Sequence, residues 1–368
     1  MRDRVWVLVA IAVAAALARL RHQEAVAPLI AKWRQQHPAA FGGAYHADGF
    51  ATRTTVRWVG QVPAAIATEI EQSGLAIGLD VTATASQAAL VARTHAIAQA
   101  LHDAGSTDFA VAPNIRTQRI DVILGVTDES AANASEFERT VRELETSTIG
   151  VGVSRVAESP FTPDTAQGGT AASKNRNGSG VACTFSLGVR SGSIYGLLTA
   201  GHCANTLYYF DPVSGSTTAL TLQDEYEGYY GDFAWYSYSG TVEPKFYAGS
   251  STSSLRTVTS VKSATSIAIG DYYCKYGRAS NRGGCNNVKY TGVCHNGGGS
   301  VVCNQVRMRS VYGACGDSGG PWFSGTQAVG VNTGRYGTDG NCSTTCSEHA
   351  FTPVASAAED LGTQVLTR

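Results

Sequence analysis

Ala314-Cys315-Gly316-Asp317-Ser318-Gly319-Gly320-Pro321 sets one serine in a turn rich in glycine and closed by proline. Glycine lets a backbone come close to a bound molecule and adopt angles that other residues avoid. Pro321 and the aromatic pattern after it oppose a helix, so the turn is expected to lead into a strand. Serine alone is a poor nucleophile; it needs a base, and the base needs a group to orient it. Two segments upstream offer both. Leu198-Thr199-Ala200-Gly201-His202-Cys203 runs an apolar strand into a small-residue turn that presents one histidine, and Gly231-Asp232-Phe233-Ala234-Trp235 opens an apolar strand with an acid. His202 can take the Ser318 proton and return it to a leaving amine, while Asp232 holds the imidazole in the needed tautomer. The turn can aim the Gly316 and Ser318 amides at a developing oxyanion. Each segment alone has a plain reading: a structural histidine, a turn aspartate, a loop. Together, in this chain order, they point to nucleophilic catalysis.

Around these segments the 368-residue chain divides in two. All nine cysteines lie between Cys183 and Cys346, and fifteen of the sixteen tyrosines follow residue 190. The Cys-rich half has short Val-, Thr- and Tyr-rich runs between Gly and Ser turns at 195–200, 218–223, 233–238, 256–261, 287–293, 300–311 and 327–332, which predicts an all-β unit. A helix is expected at 353–361. The Cys-free half reads as a small α+β domain, with helical patterns at 85–104 and 129–146 and a strand at 120–124. Its histidines (His22, His37, His46, His95, His102) lack metal-ligand spacing and read as solvated or packed. Residues 5–18 are uncharged and apolar behind Arg2 and Arg4, and Ala16-Leu17-Ala18 fits a cleavage site, so residues 1–18 read as a signal peptide. The cysteine usage agrees with secretion. With 43% apolar residues, 15% charged residues and a net charge of −1, nothing suggests a disordered chain or a nucleic-acid or lipid surface.

The three segments resemble those of the chymotrypsin-fold serine peptidases, most of all the secreted bacterial branch of streptogrisin and α-lytic type. The motifs Thr199-Ala200-Gly201-His202-Cys203 and Gly316-Asp317-Ser318-Gly319-Gly320-Pro321 carry the likeness, with Phe351-Thr352-Pro353-Val354 before the terminal helix. The resemblance implies an all-β double six-stranded antiparallel barrel with a C-terminal helix over 169–368. A linker at 161–168 and an α+β pro-region at 19–160 would precede it. It implies a secreted, monomeric endopeptidase acting on proteins or peptides without metal or cofactor. The pro-region would serve as intramolecular inhibitor and folding aid, removed by processing between about residues 150 and 180. By the same analogy His202, Asp232 and Ser318 are the triad, and Gly316 and Ser318 form the oxyanion hole. Cys183–Cys203, Cys274–Cys285 and Cys315–Cys342 are disulfides, with Cys294–Cys303 as an extra hairpin bridge. Nine cysteines leave one over, Cys346 in this scheme, and Cys315–Cys346 is the competing pair. Asp317 needs a buried cation; Lys275 stands where the branch carries arginine.

The chain departs from that pattern near the expected substrate pocket, whose wall would be Tyr312, Thr333, Gly334 and Arg335. Only Gly316 separates Cys315 from Asp317, where relatives carry more residues. Thr333 stands for the usual serine and is expected to direct its hydroxyl toward the triad acid. Arg335 replaces a glycine. No acid precedes Cys315, which argues against a preference for Lys or Arg before the scissile bond. An apolar or aromatic residue is the first expectation, an acidic one the second, since Arg335 and His349 can both approach the pocket; otherwise His349 reads as a surface residue. Two rival readings remain. Gly316-Asp317-Ser318-Gly319-Gly320 also satisfies the nucleophile-elbow pattern of α/β-hydrolases, with Asp339 and His349 following in order, but Pro321 and the missing crossover helices oppose that fold. A peptidase-like binding module would have lost part of the triad, and all three residues are present. Only Cys342 and Cys346 are closely spaced, with no second pair to complete a zinc site.

Overall fold

A computed structural model describes residues 2–47, 52–106, 109–125, 134–156, 162–163, 170–175, 181–210, 217–249, 254–296, 300–336 and 345–368. In the Cys-rich half six strands pair in turn, all antiparallel: Tyr272–Gly277, Pro321–Ser324, Gln327–Tyr336, Thr345–Pro353, Val301–Met308 and Arg282–Asn296. The last pairs back onto the first, with Cys274 opposite Cys285, so the order is a ring without an open edge between them. Alternate side chains fill its interior: Val288, Val306, Met308, Trp322, Val329 and Phe351 form one buried cluster, with the Trp322 and Phe351 rings stacked at 5.1 Å.

The strands nearer residue 200 fall into two sheets. One has five strands in the order Thr221–Gly228, Gly231–Ser237, Ile194–Thr199, Gly188–Ser191 and Gln364–Val365; the other has four, Thr217–Ala219, Tyr208–Phe210, Thr170–Ser173 and Val181–Phe185. The helix Val354–Asp360 leaves the ring and carries the chain back to place Val365 opposite Val189. Leu198, Phe233, Trp235, Tyr276, Phe323, Val331 and Val354 belong to one apolar cluster that joins both units. The expected strands are all present, with bounds moved by a few residues. The longest departure is Arg282–Asn296, where bulges between Val288 and Tyr290, Thr291 and Val293, and Val293 and His295 interrupt the alternation that marks strands in a sequence.

The Cys-free half opens with one helix, Arg2–Gln36, so the expected signal peptide 1–18 is part of a longer helix. Among the described residues no helix is long and apolar enough to cross a membrane. Val26, Ile30 and Trp33 of that helix pack on the sheet formed by Phe41–His46, Thr54–Trp58 and Ile77–Asp80. The helix Gln87–Asp103 is capped by Ser86 and buries Leu90, Ile97 and Leu101, the stripe seen in the sequence. Strands Phe109–Asn114, Arg119–Gly125 and Gly150–Val156 follow, and Ala134–Arg142 is helical. Phe109–Asn114 pairs antiparallel with Cys294–Asn296, so three strands of this half extend the sheet of the ring.

A second contact between the halves is polar and buried. His46 Nε2 lies 2.9 Å from Asp271 Oδ1, while His46 Nδ1 and His22 Nε2 both meet Thr54 Oγ1, at 2.7 and 2.9 Å. Arg19 donates to the Gly270 carbonyl at 2.7 Å. Burial alone would raise the Asp271 carboxyl, but Lys262, His46 and the Tyr273 hydroxyl outweigh it and hold it down at about 2. Burial and then His46 lower His22. Both shifts have the same sign for stability. A depressed carboxyl and a depressed imidazole each stabilise the docked state above their ordinary pKa and lose that contribution as pH falls. Docking of the two halves is therefore expected to weaken progressively from about pH 6 down to about pH 2, with Asp271 contributing roughly 2 kcal/mol. Hydrogen exchange of the Phe109–Asn114 amides against pH checks this; protection that is flat over that range would remove the argument.

Candidate active site

Three turns meet between the two β units. His202 follows the strand Ile194–Thr199, in the loop closed by the Cys183–Cys203 disulfide. Asp232 is the second residue of Gly231–Ser237, the strand beside it. Ser318 lies between Val311–Gly313 and Pro321–Ser324. His202 Nδ1 stands 2.7 Å from Asp232 Oδ2, and its Nε2 2.9 Å from Ser318 Oγ. The His202 backbone N–H also donates to Asp232 Oδ1 at 2.9 Å. A carboxylate only accepts, so Nδ1 carries the proton and Nε2 is left to accept from the serine. The Ser318 hydroxyl has one hydrogen and a second acceptor, the Thr333 carbonyl at 3.2 Å; the imidazole is nearer.

The nucleophile turn is held on all sides. The Asp317 N–H donates to the Ala314 carbonyl, the Gly319 N–H to Asn332 and the Gly320 N–H to Asp317. The Thr184 hydroxyl donates to the Gly316 carbonyl at 2.9 Å and its N–H to the Ser318 carbonyl at 2.6 Å. Gly316 and Gly319 sit at φ +89° and +81°, in the left-handed region. A Cβ on Gly319 would lie 2.1 Å from the Thr184 carbonyl oxygen, so the turn tolerates no other residue there. Asn332 braces the turn further: its Nδ2 donates to the Asp317 carbonyl at 3.1 Å, and its Oδ1 accepts from the Trp322 indole at 3.1 Å.

Behind Asp232 runs a chain of polar groups that the sequence reading missed. The Asp232 N–H donates to Thr352 Oγ1 at 3.0 Å; Gln305 Nε2 donates to the same oxygen at 2.8 Å; and Thr333 Oγ1 donates to Gln305 Oε1 at 2.8 Å. The Thr333 hydroxyl thus turns to Gln305 and not to the Asp232 carboxylate as expected. Thr352 was in view, in the segment before the terminal helix, but nothing local marked Gln305. Glu227 was also missed. It faces Asp232 across the strand pair, and burial, then the Asp232 charge, raise its carboxyl. When ionised it favours the imidazolium of His202, so Glu227→Gln is expected to shift the acid limb of any His202-dependent rate to lower pH, by about half a unit. A pH profile of kcat/KM reads this directly; a shift to higher pH would refute it.

The other predicted residues are placed as follows. Lys275 Nζ lies 3.2 Å from Asp317 Oδ2, both groups fully buried. Asp317 also accepts the Ser280 and Ala314 amides, at 3.0 and 3.2 Å. Disulfides join Cys183–Cys203, Cys274–Cys285 and Cys294–Cys303. Cys315 is disulfide-bonded too; Cys342, its expected partner, and the Cys346 side chain lie outside the described residues. Cys183 and Cys203 beside His202, and Cys294 and Cys303 beside His95, cluster like metal ligands, but their sulfurs are already bonded to each other. Thr333, Gly334 and Arg335 follow one another on the Gln327–Tyr336 strand and are buried. Tyr312 is 46% exposed with Arg282 over its ring, on the face opposite its buried neighbours Val311 and Gly313. His349 is fully buried, which corrects its reading as a surface residue. It stands opposite Arg335 on the neighbouring strand, and its Nδ1 is 3.1 Å from Lys275 Nζ.

No family model matches the chain. It is 28% identical over 225 residues to Streptogrisin-C of Streptomyces griseus, covering 59% of this chain and 44% of that protein. It is 29% identical over 195 residues to Glutamyl endopeptidase 2 of the same organism, covering 51% of this chain and 95% of that protein. The chain thus spans under half the length of the first relative and nearly all of the second. Among solved structures, Thermobifida fusca Protease A is similar with a TM-score of 0.44 and 24% identity, over 56% of this chain and 99% of that one. In sequence the chain is similar to streptogrisin-type serine proteases.

Proposed function

We propose that this streptogrisin-like chain is a serine endopeptidase in which Ser318 is the nucleophile, His202 the general base and Asp232 its orienter. The observation that carries the reading is the continuous line Asp232–His202–Ser318, with contacts of 2.7 and 2.9 Å. Ser318 Oγ attacks the peptide carbonyl carbon as its proton passes to His202 Nε2. The carbonyl oxygen becomes an oxyanion facing the Gly316 and Ser318 amides, a site where one lost donor costs about 3 kcal/mol. His202 then gives the proton to the leaving amine and the acyl-enzyme forms. Water, deprotonated by the same imidazole, releases the acid and restores the serine.

The Cys-free half is the candidate pro-region. It adds a strand to the ring at Cys294–Asn296, and a short segment, Thr162–Pro163, pairs with Gly334 and Arg335 beside the nucleophile turn. Ser318 has no exposed surface in this arrangement. These features favour a precursor whose cleft is covered until the chain is cut. Labelling with a fluorophosphonate tests the catalytic reading, using processed wild type and His202→Ala. Modification of Ser318 in wild type, with the labelling rate of His202→Ala lower by at least about a thousandfold, is the expected result. Equal labelling of the two proteins would favour the nucleophile-elbow reading, in which His202 has no part.

A further inference from the structure

We infer that this site cleaves after aspartate or glutamate, that Arg335 and His349 receive the side-chain carboxylate, and that the chain's own Asp164–Thr165 bond is its first substrate. The inference rests on the peptidase reading above and names its substrate class.

The backbone register leads to it first. Pro163 stands opposite Gly334 and Thr162 opposite Arg335, in antiparallel pairing. An extended segment that adds itself to a strand in this way is a common grip on a peptide. As the segment advances from 162 to 163, its partner number falls from 335 to 334. One more step in the same register leads toward Thr333, whose carbonyl is 3.2 Å from Ser318 Oγ. The residue that follows Pro163 in the sequence is Asp164. The chain therefore offers the nucleophile an acid.

The charges beside that position match an acid. Arg335 is 2% exposed, faces His349 in register, and approaches Cys315 Sγ at 3.8 Å. Lys275 can only donate, so its 3.1 Å contact makes His349 Nδ1 an acceptor and leaves the imidazole hydrogen on Nε2. Burial, then Lys275 and Arg335, hold the imidazole well below its ordinary pKa, so it acts as a neutral N–H donor. Gly313 makes room for this ring: a Cβ there would lie 2.3 Å from His349 Nε2 and 3.0 Å from Lys275 Nζ. An ammonium, a guanidinium and an imidazole N–H thus gather around one buried carboxylate, Asp317, which Lys275 already contacts at 3.2 Å. A guanidinium in a dry site is suited to a carboxylate and ill suited to a leucine or phenylalanine side chain, which would leave it buried against apolar surface.

Two measurements test this on the secreted protein. In the first, processed enzyme is assayed with peptides that differ only before the scissile bond: Glu, Asp, Phe, Leu and Arg in a Thr-Pro-Xaa frame. Glu and Asp are expected to exceed Phe and Leu in kcat/KM by at least about 100-fold, and Arg335→Gln to reduce that ratio below about tenfold. Cleavage of Phe or Leu as fast as Glu overturns the specificity and leaves the peptidase reading standing; no turnover of any peptide overturns both. In the second, which needs no change in the pocket, intact mass locates the new N-terminus. Thr165 is expected in wild type, with loss of that cut in Asp164→Ala. Processing after a non-acidic residue in wild type, or at the same bond in Asp164→Ala, overturns the assignment.

Discussion

Ser318→Ala is expected to lower kcat/KM toward peptides by about a million-fold and to leave the secreted chain uncut between its two halves. The size follows from what is lost. The substitution removes the attacking oxygen and strands a base whose Nε2 is 2.9 Å from it. What remains is binding and amide donation to the oxyanion, which together retain about 10³–10⁴ over the uncatalysed reaction. The substituted site stays packed, because the turn is held by the backbone of Gly316, Ser318 and Gly319 through Thr184 and Asn332 and not by the hydroxyl. Intact mass gives the processing and progress curves give the rate, each beside wild type. A fully processed Ser318→Ala chain would assign the cut to another protease, and retained hydrolysis would move the nucleophile elsewhere.

The covering of the site and its assembly are linked through one strand. Gln327–Tyr336 holds Asn332, which braces the nucleophile turn, then Thr333, then the Gly334–Arg335 edge on which Thr162–Pro163 lies. Its partner strand Thr345–Pro353 supplies both His349 and Thr352, one toward Lys275 and the other toward Asp232. A cut after this segment frees the edge without touching any group of the catalytic line. The precursor can therefore fold with the site already formed, and the contacts that cover it need only be released. The His46–Asp271 pair and the Phe109–Asn114 strand lie outside that line as well, so they set how long the Cys-free half stays docked after cleavage.

The catalytic groups were legible because each sits in a short segment whose glycines and small residues are needed locally. Gly319 is one such position, with its left-handed backbone and the Thr184 carbonyl at its Cα. What escaped reading depends on pairing over long separations. Gln305 looks like any polar residue on a strand until Thr333 and Thr352 arrive from two other strands. His349 follows Glu348 in a polar run and invites a surface reading; opposite Arg335, on the inner face, it is buried. The strand Phe41–His46 contains Gly42 and Gly43, which weaken strand propensity, and was not foreseen. Nor could the pairing of Phe109–Asn114 with Cys294–Asn296 be read, since neither segment carries a mark of the other.

Lys275→Met is expected to destabilise the fold by about 3–5 kcal/mol at neutral pH. Lys275 and Asp317 have no exposed side-chain surface, and the ammonium lies 3.2 Å from the carboxylate. Methionine keeps most of the volume but leaves a buried carboxylate supported only by the Ser280 and Ala314 amides. Asp317 adjoins Ser318, so any movement of its carboxylate toward water displaces the nucleophile turn and activity falls with stability. Two features separate this from a packing defect. The deficit must shrink in acid, because the uncompensated carboxyl has a raised pKa and its protonation relieves the folded state. It must also shrink when Asp317→Asn is added, since a pair replaced on both sides leaves no lone charge. Urea unfolding at two pH values, with both single variants and the double variant in a Ser318→Ala background, measures the cycle. A coupling energy near zero would mean that the amides alone satisfy Asp317, and that the lysine serves chiefly as the neighbour of His349.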